Sequence, residues 1–229
     1  TVHQTSGMSH LLDLLIPTKC LYCGDLGARI CDRCTVLLGS EPRLVFRDGL
    51  IGFSSMNYND RAKTLLRSYK ELGESELSKT MAQAMVNLLG CFDQSPSVLV
   101  PMPSNRSSVR ERGFNPAELL ARELSLRVPG LRWSNILIRT RETKDQSKLS
   151  PTERRQNQQG SMMSKVGTGR VLLVDDVVTT GASMLTAKET LENAGYFVIG
   201  FVTFAETEAK RCTLTTQALL PADGGTSWN

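Results

Sequence analysis

Histidine is almost missing from this 229-residue chain: there are two, His3 and His10, both within the first ten positions. A histidine-based catalytic triad or a histidine-rich catalytic metal site in the body of the chain is excluded on that ground. Aromatic residues make up only 6%, too few for an extended platform on which nucleic-acid bases stack. No apolar run approaches the ~20 residues that a membrane-crossing helix requires. The opening TVHQTSGMSH lacks the basic flank and apolar stretch of a secretory signal. There is no GxxxxGK(S/T) loop, and Gly167-Thr168-Gly169 precedes an apolar run and has no third glycine. ATP hydrolysis on a P-loop and a dinucleotide fingerprint both lose their sequence basis.

What is present describes a folded protein. With 40% apolar and 22% charged residues, the composition is that of a soluble globular chain. Its length suits one core of about 150 to 200 residues plus a small appendage. The expected location is the cytoplasm, with no membrane insertion. Met8 offers a natural start, and residues 1–10 are expected to be a leader, partly left over from expression.

The net charge of +4 is unevenly placed. Residues 1–100 hold 10 basic and 10 acidic side chains, residues 101–160 hold 12 and 6, and residues 161–229 hold 5 and 7. A basic middle suits a polyanion, either a pyrophosphate or a nucleic-acid backbone, although a solvated surface would look the same.

Four of the six cysteines, Cys20, Cys23, Cys31 and Cys34, fall in CLYCGDLGARICDRC. Two Cys-x-x-Cys knuckles at this spacing can close a tetrahedron of thiolates around a structural zinc ion. Disulfides compete with this reading but suit an oxidising compartment. A redox Cys-x-x-Cys competes too, but normally opens a helix after a strand. Cys91 and Cys212 have no such neighbours and read as small buried hydrophobes.

Beyond Pro42, strand and helix patterns alternate. IGFSSMNY, VLVPM, NILI, RVLLVDD and YFVIGFVTF read as strands, several of them continuous apolar runs of the kind buried on both faces. Helical stripes run through Ala62, Leu65, Leu66 and Tyr69; through Leu77, Met81, Ala84, Met85 and Leu88; through Ala117, Leu120, Ala121 and Leu124; and through Met184, Ala187, Leu191 and Ala194. Asn115 is placed to cap the third, with Pro116 in its first turn. The alternation predicts an α/β fold with a mostly parallel sheet.

The most informative stretch is RVLLVDDVVTTGASM. An apolar strand delivers Asp175 and Asp176 to its carboxyl end, the edge where open α/β sheets bind ligands. Thr179, Thr180, Gly181, Ala182 and Ser183 then lead into a helix N-terminus, whose free amides favour a phosphate. Paired carboxylates suit vicinal hydroxyls or a hydrated magnesium ion, so a sugar phosphate satisfies both halves.

This run resembles the 5-phosphoribosyl 1-pyrophosphate (PRPP) fingerprint of type I phosphoribosyltransferases. Together with the four-Cys knuckle, VPMPSNRSSVRERGFNPAELLA and RTRETKDQSKLSPTERRQNQQGSM, it resembles the competence protein F (ComF/GntX) family across most of residues 11–206. The resemblance implies a type I phosphoribosyltransferase fold, a mostly parallel central sheet flanked by helices, with a small N-terminal zinc knuckle. It also implies PRPP and magnesium, and a link to uptake of transforming DNA. Ser104-Asn105 stands where Leu-His is more usual in the family, and Pro116 where Gln is common.

On this reading residues 11–40 form the zinc module, residues 50–212 the phosphoribosyltransferase-like domain and residues 213–229 a flexible tail. Asp175 and Asp176 hold the ribose, and Thr179 to Ser183 the 5-phosphate. Pro103, Ser104 and Arg106, with Arg110 and Arg112 as contributors, receive pyrophosphate. The segment from Arg139 to Gly160 reads as a lid, with a capping box at Ser150-Pro151-Thr152-Glu153. Arg154 within it matches the family's Ser-x-x-x-Arg spacing and is taken as catalytic. Glu206 is a weak candidate for the base that activates an unknown acceptor. The rival expectation is a catalytically silent pocket in a protein that binds single-stranded DNA and partners a DNA-uptake helicase.

Overall fold

The computed structural model describes residues 18–39, 41–47, 49–140 and 161–207. Arg154, the capping box, Cys212 and the C-terminal tail lie outside the described residues.

The chain enters through the cysteine knuckle, which ends in a short helix, α1 (Asp32–Thr35), and a 3-10 turn (Val36–Leu38). There follow β1 (Arg43–Arg47), β2 (Leu50–Asn57), α2 (Asp60–Lys70), α3 (Leu77–Met85) and β3 (Val98–Pro101). Then come α4 (Arg106–Arg112), α5 (Pro116–Arg127), β4 (Arg132–Trp133), β5 (Leu137–Arg139) and β6 (Met162–Ser164). The last three elements are β7 (Gly169–Val178), α6 (Ala182–Asn193) and β8 (Tyr196–Glu206).

Six strands form one sheet in the order β1-β2-β8-β7-β3-β4. All its neighbours are parallel except β1 with β2. β7 is central because its residues are apolar on both faces. Leu172 and Val174 enter the core beneath α2, α3 and α5, while Val171 and Leu173 enter the core beneath α6. Such a strand needs helices on both sides, which parallel crossovers supply.

The helix starts follow from local chemistry. Asn59 caps α2 by accepting from the Ala62 amide at 3.0 Å, and Asn115 caps α5 by accepting from the Ala117 amide at 3.2 Å, with Pro116 in the first turn. NILI departs from expectation. Its strand β5 leaves the main sheet and pairs only with β6, antiparallel, with Leu137 buried and Ile138 50% exposed. Four apolar letters could not tell a strand buried on both faces from one buried on a single face. β1 was not foreseen, because Arg43 and Arg47 interrupt its apolar letters.

The knuckle joins the main core. Cys20, Ile30, Cys34 and Leu38 belong to the same apolar cluster as α2 and α3. Tyr22 Oη donates to the Arg61 carbonyl at 3.0 Å, and Arg29 pairs with Glu74. At the knuckle's exit Gly39 has φ +95° and lies so close to the Ser55 carbonyl that no Cβ would fit.

Candidate functional site

A pocket of about 450 Å³ opens at the carboxyl edge of the sheet, where the ends of β3 and β7, the last residue of α2, helix α4 and the first turns of α5 and α6 meet. Asp175 and Asp176 form its floor, Pro103, Ser104 and Asn105 one wall and Ser183 another, with Lys70, Ser108, Arg112 and Arg139 around the rim.

The two acids differ in their surroundings. Asp176 is 3% exposed and its Oδ2 lies 2.8 Å from Lys70 Nζ. Asp175 Oδ1 accepts from the Asp176 amide at 2.9 Å. Burial and the adjacent Asp176 carboxylate push Asp175 up to about 7, with Lys70 pulling the other way. One acid of the pair has a lysine partner, and the other carries the repulsion. Burial opposes the charge on Lys70, but Asp176 and Asp175 outweigh it and hold its pKa above the ordinary lysine value. Burial lowers the pKa of Arg139.

The loop after β3 is pinned from two directions. Asn115 Nδ2 donates to the Met102 carbonyl at 3.1 Å, and Ser104 Oγ donates to Asn115 Oδ1 at 2.9 Å. From the other side Arg139 Nε donates to the Pro103 carbonyl at 3.3 Å. Asn115 thus caps a helix and fixes the loop with one side chain. Asn105 Oδ1 is buried and has no hydrogen-bond partner among the described residues.

The loop before α6 rests on Arg47. This arginine is 7% exposed. It donates to the carbonyls of Phe46 (2.9 Å), Thr179 (2.8 Å) and Thr207 (2.6 Å), and to Glu206 Oε2 (3.0 Å). It thereby ties the Thr179 carbonyl, at the start of the turn, to β1 and to the end of β8. Gly181 is the N-cap of α6, with φ +83°, and the Arg47 side chain occupies the place where its Cβ would stand. Thr180 Oγ1 accepts from the Ala182 amide at 3.5 Å.

Of the residues singled out from sequence, the structure brings Pro103, Ser104, Arg112, Asp175, Asp176 and Ser183 into one pocket lining. Thr179, Thr180, Gly181 and Ala182 form the adjoining turn; both threonines are exposed. Arg110 is exposed and outside the lining, and Arg106 lines a neighbouring pocket with Phe114 and Leu137. Glu206 is ruled out as a free base: it is 8% exposed, held by Arg47 and, at 3.4 Å, by Arg43, and does not line the pocket. Sequence reasoning missed Lys70, Asn105, Ser108 and Arg47. Only Arg47 had a local signal, a charge within an otherwise strand-like RLVFR.

The four knuckle cysteines place their Sγ atoms within 4.8 Å of one another, with Cys23 and Cys31 at 3.6 Å. Tetrahedral zinc with Zn–S of about 2.3 Å implies S···S edges of about 3.8 Å, so the four thiols fit that ion. Burial works against the Cys20 thiolate, yet the backbone around Cys23, Cys31 and Tyr22 donates to it and brings its pKa down to about 6. The four are free thiols rather than two bonded pairs.

Residues 76–215 match the phosphoribosyl transferase domain family, more than half of the chain, and the chain belongs to that family. Its fold is the type I phosphoribosyltransferase fold with a four-Cys cluster at the N-terminal side. Among curated relatives, Competence protein F of Haemophilus influenzae is 28% identical over 192 residues, covering 76% of this chain and 80% of that one. Competence protein ComFC of Bacillus subtilis is 31% identical over 159 residues, covering 67% and 64%. These relatives bear out the competence protein F resemblance. Adenine phosphoribosyltransferase from Trypanosoma brucei, solved with AMP, pyrophosphate and ribose-5-phosphate, is 13% identical over 73% of this chain and 87% of its own, with TM-score 0.40. No helix among the described residues is long and apolar enough to cross a membrane.

Proposed function

We propose that the pocket binds PRPP and that the protein transfers its phosphoribosyl group to an acceptor, releasing pyrophosphate. The observation that carries this is the convergence of the Asp175-Asp176 pair, Ser183 in the first turn of α6 and the loop 103–105 on one pocket of about 450 Å³, with the turn 179–182 adjoining it in the chain. The 5-phosphate is assigned to the turn 179–183 and the first amides of α6, where the helix dipole favours an anion. The ribose hydroxyls donate to Asp175 and Asp176, and the pyrophosphate lies against residues 103–105 with Arg112.

In the reaction the C1–O bond breaks, pyrophosphate leaves with the electron pair, and the acceptor forms its bond to C1 as it loses a proton. Positive charge develops on the ribosyl ring beside two fixed acids, an arrangement that stabilises that charge without reorganisation. The oxygen donors of these acids fit a hard cation, and magnesium, when bound, would neutralise leaving-group charge. The knuckle is assigned a structural zinc ion. By analogy with relatives named competence proteins, we place the protein in the cytoplasm and link it to uptake of transforming DNA; single-stranded DNA and a DNA-uptake helicase are the partners of the second reading. Exposed Arg106 and Arg110, outside the pocket lining, favour the second reading, in which the pocket is catalytically silent and the protein works by binding a polyanion.

Thermal denaturation tests the pocket. At one hundred times Kd a ligand contributes about 2.7 kcal/mol, or roughly 5 °C or more in Tm for a domain of this size. PRPP with magnesium should give such a shift, and Asp175→Asn combined with Asp176→Asn should abolish it. An unmutated protein whose Tm ignores PRPP overturns the reading. Pyrophosphate release screened across nucleobases and DNA then separates transferase from silent binder.

A further inference from the structure

Lys70 closes α2, and its position is set from two directions. Arg112 Nε donates to the Lys70 carbonyl at 2.7 Å, satisfying an acceptor that the helix end leaves open. The preceding Tyr69 is fully buried, and its Oη donates to the Pro116 carbonyl at 2.8 Å while its ring meets Phe114. The end of α2 is therefore fastened to α4 and to the first turn of α5, the two elements that flank the loop 103–105. The ammonium group so placed makes one ion pair, to Asp176 at 2.8 Å.

An ammonium group has three donors, and one carboxylate oxygen satisfies one of them. The Lys70 side chain is 29% exposed and lines the pocket, as do Ser108, Arg112 and Ser183. Arg112 has its Nε engaged by the Lys70 carbonyl and also lines the pocket. Two cations held to one another through a backbone hydrogen bond thus stand together on the pocket lining. A second cavity of about 340 Å³ shares Lys70, Ser108 and Arg112 with the pocket, so both cations border open space beyond the pocket itself.

We propose that Lys70 contacts the substrate directly, bridging Asp176 and a phosphoryl oxygen of the pyrophosphate group, and that with Arg112 it forms a cationic clamp on that group. This inference rests on the PRPP reading and deepens it. Lys70 then acts in two directions, with one donor on the Asp176 carboxylate and the others receiving the anion. As the C1–O bond breaks, charge builds on the leaving pyrophosphate, and a cation fixed beside it binds that state more tightly than the ground state. A lysine that served only as counter-ion to Asp176 would instead affect the ribose end.

Two ligands separate these roles, because ribose 5-phosphate keeps the sugar and the 5-phosphate but lacks the pyrophosphate. Binding of each, with magnesium present, is measured by calorimetry for the full chain and for Lys70→Met and Lys70→Gln. The Gln amide can still donate to Asp176, which keeps the buried acid partnered if the Met variant fails to fold. For Lys70→Gln, whose amide keeps a donor on Asp176, the expected result is at least about tenfold weaker PRPP binding, the scale of losing one charge-assisted hydrogen bond, with ribose 5-phosphate affinity changed by less than about twofold; Lys70→Met, which also strips Asp176 of its partner, weakens both ligands and PRPP more. The salt dependence of PRPP binding should fall at the same time. Equal losses for both ligands, or no loss for either, overturn the clamp while leaving the PRPP site standing. Failure of the unmutated protein to bind PRPP at all removes the site and the clamp together.

Discussion

Asp175 and Asp176 are consecutive in the chain and opposite in behaviour. Asp176 pairs with Lys70, while burial and the neighbouring Asp176 carboxylate push Asp175 up to about 7. The native protein therefore holds a proton on Asp175 that the unfolded chain releases near the ordinary carboxyl value of about 3.9. Between these values the native state binds more protons, so this contribution to stability is complete at acid pH and is lost as pH rises toward about 7. Against Asp175→Asn, the ligand-free protein should lose about 2 kcal/mol of relative stability between pH 5 and 8, measured by denaturant titration at each pH; a flat difference contradicts the assignment. PRPP binding, which needs the carboxylate, should release a proton near neutrality. Gly181 is the other decisive residue. Its φ of +83° and the Arg47 side chain beside it leave no place for a methyl group. Gly181→Ala should destabilise the fold by about 1 to 3 kcal/mol and remove the PRPP-dependent rise in Tm, and a variant that keeps both would show that the turn does not depend on this glycine.

At the scale of elements, β7 and α6 show what a local pattern specifies. An apolar strand ending in two acids, followed by small hydroxyl residues and a glycine, becomes a buried parallel strand, a tight turn and a helix N-terminus because each step follows from local chemistry. The α5 start was equally legible, since Asn115 and Pro116 signal a cap and a first turn without reference to anything distant. β5 was not legible, because pairing with β6 instead of the main sheet depends on partners outside its own letters. The knuckle belongs at this scale too. Cys20 and Cys34 are buried in the same core as α2 and α3, so chelating the zinc should lower the Tm of the whole chain in one transition rather than melt the knuckle alone. Elemental analysis should give about one zinc per chain, lost on Cys20→Ser. Metal-free protein with an unchanged melting curve contradicts the assignment.

The whole molecule is organised by the carboxyl edge of its sheet. Segments distant in sequence reach it: Arg47 from β1, Lys70 from α2, the loop 103–105 after β3, Arg139 from β5 and the acids of β7. The sequence alone determined the chemistry of the site's centre, the cysteine cluster, the mostly parallel sheet and the exclusion of histidine chemistry. These are set by short-range spacing and by composition. Tertiary structure alone decided that Lys70 partners Asp176, that Arg47 supports the turn before α6, and that Glu206 is tied to arginines. It also left Arg106 and Arg110 outside the pocket lining and set Arg112 on it. Those assignments depend on which side chains meet across the fold, and a charged residue on a helix or strand carries no local mark of the partner that packing will bring to it.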